Sequence, residues 1–353
     1  MFAEKHYPEM MIPEELDSYL ARGWYRMGQT IFTTHFLCFG RSFYSAIWVR
    51  LPLVDYRFRK SLRKTFRRNR NNFRLAIGPA SINAEKERLY RRYKTSFSGL
   101  LAPTLKDALL DGEDFNIFNT QEVRVYDGKQ LIALSYFDIG QDSSASITGI
   151  YDPDYKKYSL GFYTMLEEIN YSQEQGLLYY YPGYVVPGYP RFEYKLRIGP
   201  VEYYSLRHKA WRPYDKLTED RIPIRVMERR IFELEQYLKY HDFHCQHLYY
   251  PLFEANLFGF WNAPYFDYPL FLLCSPRKNK RKFLCVVFDP RQDTYQLLLT
   301  SLFDDLQLYF NQSYTESFDK RFNFVELLVV EAVLSSNVEP DKILEILAAS
   351  SGQ

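Results

Sequence analysis

The chain has 353 residues, with 45 Lys and Arg against 43 Asp and Glu, and 18% of its residues are aromatic. That length and aromatic content argue against disorder and allow two or three domains with packed cores. A net charge of +2 means that any basic surface must come from local clustering, and no apolar run reaches the roughly 18 residues of a membrane helix.

The first twenty residues, MFAEKHYPEMMIPEELDSYL, carry acids and prolines where a secretory signal needs an apolar run, so none is expected. Pro13 to Leu20 reads as a short helix with proline in its first turn. Thr30 to Phe39 and Tyr44 to Val54 read as strands. From Arg57 to Arg74 there are nine Lys or Arg and no acid. Phe58, Leu62 and Phe66 recur every fourth residue, which predicts a helix with one apolar stripe and a basic remainder. Cations without acids repel one another unless an anion neutralises them, and nucleic acid is the obvious polyanion. A membrane surface or plain solubility are the alternatives. A second helix from Asn83 adds Arg88, Arg91, Arg92 and Lys94.

Glu122 to Tyr126 and Leu131 to Phe137 flank Asp127-Gly128, a hairpin signal. A strand–turn–helix–strand unit follows. Ala145 to Tyr151 is the first strand, and Asp152-Pro153-Asp154 is a turn. Ser159 is placed to cap a helix whose apolar face is Phe162, Leu166 and Ile169. Gly176 ends that helix, and Leu177 to Tyr181 is the second strand. The helix start can hold a phosphate or carboxylate, with Lys156 and Lys157 adding charge. The plain reading is a helix start that meets only water and its cap.

Beyond residue 215, Met227, Ile231, Leu234 and Leu238 form a helical stripe. Phe271 to Cys274 and Phe283 to Phe288 flank a hairpin turn at Lys278-Asn279-Lys280, and Tyr295 to Leu299 adds a strand. Phe322 to Leu334 and Ile343 to Leu347 read as helical. His241, His244, Cys245 and His247 are zinc-type ligands at a spacing of no standard motif, so a polar loop is the simpler reading and no metal is expected. Cys38, Cys245, Cys274 and Cys285 match no disulfide framework, which fits a reduced, cytoplasmic setting.

Several spaced segments, in one order, carry a resemblance. They are Arg22-Gly23-Trp24-Tyr25-Arg26-Met27-Gly28, Val49-Arg50-Leu51-Pro52, Lys60-Ser61-Leu62-Arg63-Lys64, Arg67-Arg68-Asn69 and Leu89-Tyr90-Arg91-Arg92-Tyr93. Then come Tyr151-Asp152-Pro153-Asp154, Ser159-Leu160-Gly161, Tyr179-Tyr180-Tyr181-Pro182-Gly183-Tyr184, Tyr194-Lys195 and Pro200. The stretch from about 20 to 205 resembles the arginyl-tRNA–protein transferases and their bacterial leucyl-transferring relatives. The resemblance implies an α+β chain with a GNAT-like acyltransferase fold, an N-terminal α/β part and a C-terminal α+β appendage. The expected divisions are a basic domain over 1–100, the transferase domain over 101–214 and an extension over 215–353. This chain departs from the family pattern at Gly40 to Ala46, where many members carry paired cysteines, so no iron–sulfur cluster is expected. It also departs around Phe97-Ser98, where an Arg-His pair is usual, and at Gly199, where an arginine is usual.

The resemblance implies transfer of an amino acid, arginine or leucine, from charged tRNA to protein N-termini that begin with acidic residues. No cofactor is needed, and no membrane is expected among the partners. Tyr184, Tyr194 and Asp152 are the candidate catalytic residues. Lys195 and Arg191 are candidates for the acceptor's carboxylate. Arg63, Lys64, Arg67, Arg68, Lys157, Ser159 and Gly161 are candidates for donor and tRNA binding. Against these stand plainer readings: aromatic packing for the tyrosines, turn formation for Asp152 and a surface cation for Lys195. A catalytically silent RNA-binding protein and a CoA-dependent N-acyltransferase on the same fold are the alternatives.

Overall fold

The computed structural model describes residues 1–351 except 98, 100, 259–262, 277–280 and 304–311. Near the start, β1 (Ala3–His6), β2 (Tyr25–Met27) and β3 (Thr30–Thr34) form a small antiparallel sheet, with helix α1 (Pro13–Ala21) between β1 and β2 in sequence. A hairpin of β4 (Phe36–Phe39) and β5 (Ser42–Ser45) follows.

The main sheet has eight strands. They are β6 (Ile47–Pro52), β7 (Arg74–Pro79), β8 (Thr120–Asp127), β9 (Gln130–Ile139), β10 (Ser143–Tyr151), β11 (Tyr179–Val185), β12 (Glu202–Ser205) and β13 (Ala210–Pro213). Their spatial order is β13-β12-β6-β11-β10-β9-β8-β7. The helices of this part are α2 (Lys60–Asn72), α3 (Ala84–Ser96), α4 (Leu105–Leu110) and α5 (Leu160–Glu174). β8 and β9 form the hairpin expected at Asp127-Gly128, with Gly128 at a φ of 55°. β10, α5 and β11 form the expected crossover, and β10 and β11 run parallel. This is the mixed sheet and central crossing helix expected of a GNAT-like acyltransferase.

The boundary expected at residue 100 is not a break in this sheet. β6, with Ile47, Trp48, Val49 and Leu51 buried, lies between β12 and β11, so its backbone is satisfied only by strands that come later in the chain. α2 packs on α5 through Phe58, Leu62 and Phe66, the predicted stripe. Arg26 of β2 is buried and donates to Asp138 Oδ1 and Thr120 Oγ1, both at 2.8 Å, which ties the first sheet to the main one.

The last part contains α6 (Pro223–Tyr240), β14 (Gln246–Tyr249), α7 (Ala255–Phe258), β15 (Leu270–Pro276), β16 (Lys282–Asp289), β17 (Thr294–Leu302), α8 (Gln312–Glu316), β18 (Leu328–Val338) and α9 (Pro340–Ser351). β14 to β18 form a five-stranded antiparallel sheet in sequence order. Met227, Ile231, Leu234 and Leu238 of α6 are buried on it, together with Phe2 and Phe36 from the start of the chain. The segment Phe322 to Leu334, read as helical, instead leads into β18. Its β-branched Val329, Val330 and Val333 suit a strand, and pairing with β17 overrides the apparent helical spacing. The turn at Lys278-Asn279-Lys280 lies outside the described residues. Among the described residues no helix is long and apolar enough to cross a membrane.

Candidate active site

The parallel strands β10 and β11 pair only over Ser143–Ala145 and Tyr179–Tyr181. Beyond that point they part. β10 changes register against β9 between Ser146 and Thr148, and β11 against β6 between Tyr180 and Gly183. Pro182 has no N–H to offer, and Gly183 adopts a φ of 91° that a larger residue would resist. The hydroxyl of Tyr25 sits in the gap, within reach of the carbonyls of Ser146 and Tyr181. A cavity of about 560 Å³ opens where the strands separate. α5 forms its floor: Gly161, Met165 and Glu168 recur along the helix and line it, while Leu166 and Ile169 enter the core.

Two ionisable groups in this cavity are far from their ordinary behaviour. Lys195 is half-buried as a residue, with its ammonium end turned inward. Nζ donates to the carbonyl of Tyr184 at 3.0 Å and lies 5.4 Å from the Tyr184 ring and 5.5 Å from the Phe192 ring. Burial lowers its pKa to about 7, and among the described residues no carboxylate forms an ion pair with it. Glu168 is fully buried. Tyr180 donates to its Oε2 at 2.6 Å, and among the described residues Oε1 accepts no hydrogen bond of good geometry, although the Ser135 and Ser146 hydroxyls lie nearby. Burial raises its pKa to about 7, against the opposing pull of the Ser135, Tyr180 and Ser146 hydroxyls. Tyr184 and Tyr194 also line the cavity, and burial pushes each phenol up to about 12, so both remain hydrogen-bond donors at neutral pH. Tyr194 as a whole is 39% exposed, so the burial belongs to its phenol end.

Of the residues expected at the site, Tyr184, Tyr194, Lys195, Ser159 and Gly161 are brought together around the cavity. Ser159 precedes α5 in the left-handed region at a φ of 56°, and its side chain caps nothing, contrary to expectation. Gly161 is needed for space, since a Cβ there would come within 3.3 Å of the Tyr151 ring. Lys156, rather than Lys157, lines the cavity; Lys157 turns onto the Tyr158 ring at 5.1 Å. Arg191 lies outside it, stacked on Phe97 at 4.8 Å. Asp152 is also elsewhere. It is 1% exposed, accepts from Arg92 at 2.9 Å and from the Asp154 amide at 3.1 Å, and so organises the turn. Asp152, expected as a catalytic residue, does not line the cavity and serves the turn instead. Asp152→Asn should cost about 1–2 kcal/mol of stability and leave turnover of the folded enzyme unchanged; chemical denaturation and a turnover assay check the two halves.

Arg63, Lys64, Arg67 and Arg68 are exposed on α2. Among the described residues, Arg70 alone of the nine predicted cations makes an ion pair, to Glu167 of α5 at 2.6 Å. Arg68 donates to the Tyr158 carbonyl at 2.7 Å, which places this basic helix beside the start of α5. Tyr25, Trp48 and Glu168 also line the cavity and were not singled out from sequence.

The pattern of the family described as "Arginine-tRNA-protein transferase, C terminus" matches residues 85–205. An aspartate/glutamate leucyltransferase from Leptospira interrogans is 28% identical over 202 residues, 56% of this chain and 76% of that one. Another from Phenylobacterium zucineum is 30% identical over 189 residues, covering 49% of this chain and 72% of that one. The chain belongs to the arginine-tRNA-protein transferase family. The family match spans α3 to β12 and so includes α5, β11 and Lys195, while Tyr25, Trp48 and α2 lie before it. A solved structure, the C-terminal domain of a lysylphosphatidylglycerol synthetase from Agrobacterium fabrum, aligns with a TM-score of 0.35 at 13% identity, over 48% of this chain and 58% of that one. A cysteine-bound cluster of the kind in many family members does not fit the donors present. Cys38 stands on β4, and the other three cysteines lie at or on the C-terminal sheet. Among the described residues no group of three or more His, Cys, Asp or Glu is placed to hold a metal, and this includes His241, His244, Cys245 and His247.

Proposed function

We propose that this transferase moves an aminoacyl group from charged tRNA to the N-terminal amine of a protein or peptide that begins with Asp or Glu. The observation that carries the reading is Lys195: its ammonium end is buried in the cavity with no ion pair among the described residues, and the cavity lies beside a helix whose cations, Arg70 apart, make no ion pair among those residues either. A carboxylate is costly to take from water unless a cation meets it, and Lys195 supplies that partner.

The chemistry needs little covalent help from the protein. The acceptor's amine nitrogen attacks the ester carbonyl carbon of the aminoacyl-tRNA. The C–O bond to the terminal ribose breaks, and an amide forms. The attacking nitrogen loses protons, one of which ends on the ribose oxygen. Glu168 is the residue suited to accept the first: its Oε1 accepts no hydrogen bond of good geometry among the described residues, and a pKa of about 7 lies close to that of an N-terminal ammonium, about 8. The hydroxyls of Tyr184 and Tyr194 remain protonated and are suited to orient the ester and stabilise its developing oxyanion.

The direct test mixes total tRNA charged with labelled amino acids and peptides starting with Asp, Glu or Ala. Label should move onto the acidic peptides only. Absence of transfer together with tight tRNA binding would favour the silent RNA-binding alternative, and inhibition by acetyl-CoA the acyltransferase one. In the same system, Arg63, Lys64, Arg67 and Arg68 changed together to Ala should weaken tRNA binding and flatten its salt dependence. The slope of log K against log salt should fall by up to roughly 3 if each cation meets one phosphate. An unchanged slope removes α2 from the tRNA interface.

A further inference from the structure

A second cleft, of about 600 Å³, lies between the β12–β13 edge of the main sheet and the start of α6. Most of its lining, including all of its arginines, falls beyond residue 205, where the family match ends. Its walls carry Arg207, Arg212, Arg221, Arg229 and Arg230 against only Asp220 and Asp293. Asp293 is already engaged by Arg207 at 3.0 Å and by Arg230 at 3.5 Å. Arg212 and Arg221 make no ion pair among the described residues. The His208 pKa is lowered by desolvation first and then by the charges of Arg212, Arg207 and Arg221 beside it.

We propose that this cleft binds phosphodiester groups of RNA, extending the tRNA footprint beyond α2. The inference rests on the tRNA-dependent reading above. Arg207, Arg229 and Arg230 meet Asp293 or Glu233, which leaves Arg212 and Arg221 without an ion pair among the described residues. Guanidinium groups that outnumber the carboxylates around them favour an anion they can grip through paired N–H donors, and phosphate fits that fork. The location favours RNA over a small phosphate. Ile47, Tyr203 and Leu217 line the cleft and also pack into the hydrophobic core that receives Phe58, Leu62 and Phe66 of the α2 segment. Two cationic surfaces therefore border one core, and an extended polyanion such as tRNA is the ligand class long enough to be tested against both.

The test is binding of uncharged total tRNA to the full chain over a range of salt concentrations. The variants are Arg212→Gln with Arg221→Gln, and Arg212→Lys with Arg221→Lys. The Gln pair should flatten the salt slope by roughly 1.5 and weaken binding about 10-fold at physiological salt, while the Lys pair keeps most of the slope. Thermal melting verifies that both variants fold. An unchanged slope and affinity in the Gln pair overturns the proposal. So does a result in which the Gln pair loses only stabilisation by inorganic phosphate, which would make this a small-anion site. If the Gln pair leaves tRNA binding intact while the wild type still transfers amino acid, the cleft assignment alone fails. If the wild type transfers nothing but the Gln pair flattens the slope, the cleft stands and the transfer reading fails.

Discussion

Lys195→Met should lower transfer to Asp- and Glu-starting peptides by about 2 kcal/mol or more in transition-state terms, the range for hydrogen bonds to charged groups, and leave tRNA binding intact. Methionine keeps much of the apolar stem that packs against Tyr184 and Phe192 and removes only the charge. The loss should appear in KM for the acidic peptide. It should shrink for a peptide starting with Ala, which has no carboxylate to lose. Titration adds a second readout. The folded pKa of about 7 lies below the ordinary 10.5, so between those values the unfolded chain binds the extra proton. Stability then rises with pH across that window, and the rise should be smaller in the Met variant. Binding of a carboxylate draws the lysine back to its charged form, so the KM of the wild type should climb above pH 7. If Lys195→Met lost tRNA binding instead, the residue would belong to the donor side.

The parts of this molecule that were legible in sequence are those whose signal is local. α2 shows itself because Phe58, Leu62 and Phe66 repeat at helical spacing amid cations, and the β8–β9 hairpin because Asp127-Gly128 fixes its turn. Lys195 was reached only through the matched Tyr-Lys pair, and its buried state depends on Tyr184 and Phe192 folding over it. β18 misled because Phe324, Leu327 and Leu328 mimic a helical face; only pairing with β17 decides otherwise. Asp152 has the residue type of an acid–base catalyst, and Arg92, 60 positions earlier, decides its role. Tyr25 enters the site from a strand of the first sheet, 121 residues before its partner Ser146. No local pattern carries such a contact.

Glu168→Gln should reduce the rate of transfer by 10²- to 10⁴-fold, roughly the contribution of a positioned general base. Glu168 was not legible because one glutamate inside an amphipathic helix looks like a solvated residue. The available signal was its spacing: Gly161, Met165 and Glu168 form a second stripe beside Leu166 and Ile169, and on a helix buried on most sides that stripe faces the site. Glutamine keeps the shape and can still accept from Tyr180, but it cannot take a proton. The drop should therefore lie in kcat, and the acid limb of the pH–rate profile, centred near 7 in the wild type, should move or disappear. The stability signature has the opposite sign to that of Lys195. The folded pKa of about 7 lies above the ordinary 4.5, so between those values the folded chain holds the extra proton, and stability falls as pH rises through the window. Glu168→Gln should make that fall smaller, since Glu254, raised by burial to about 8, still contributes to it, and Lys195→Met should leave it unchanged. Melting curves from pH 4 to 10 on the two variants therefore separate the carboxylate from the lysine without any substrate. A Glu168→Gln enzyme whose stability trend weakened yet which kept its rate would show a buried acid of structural use only, and the proton acceptor would have to be sought at Lys195.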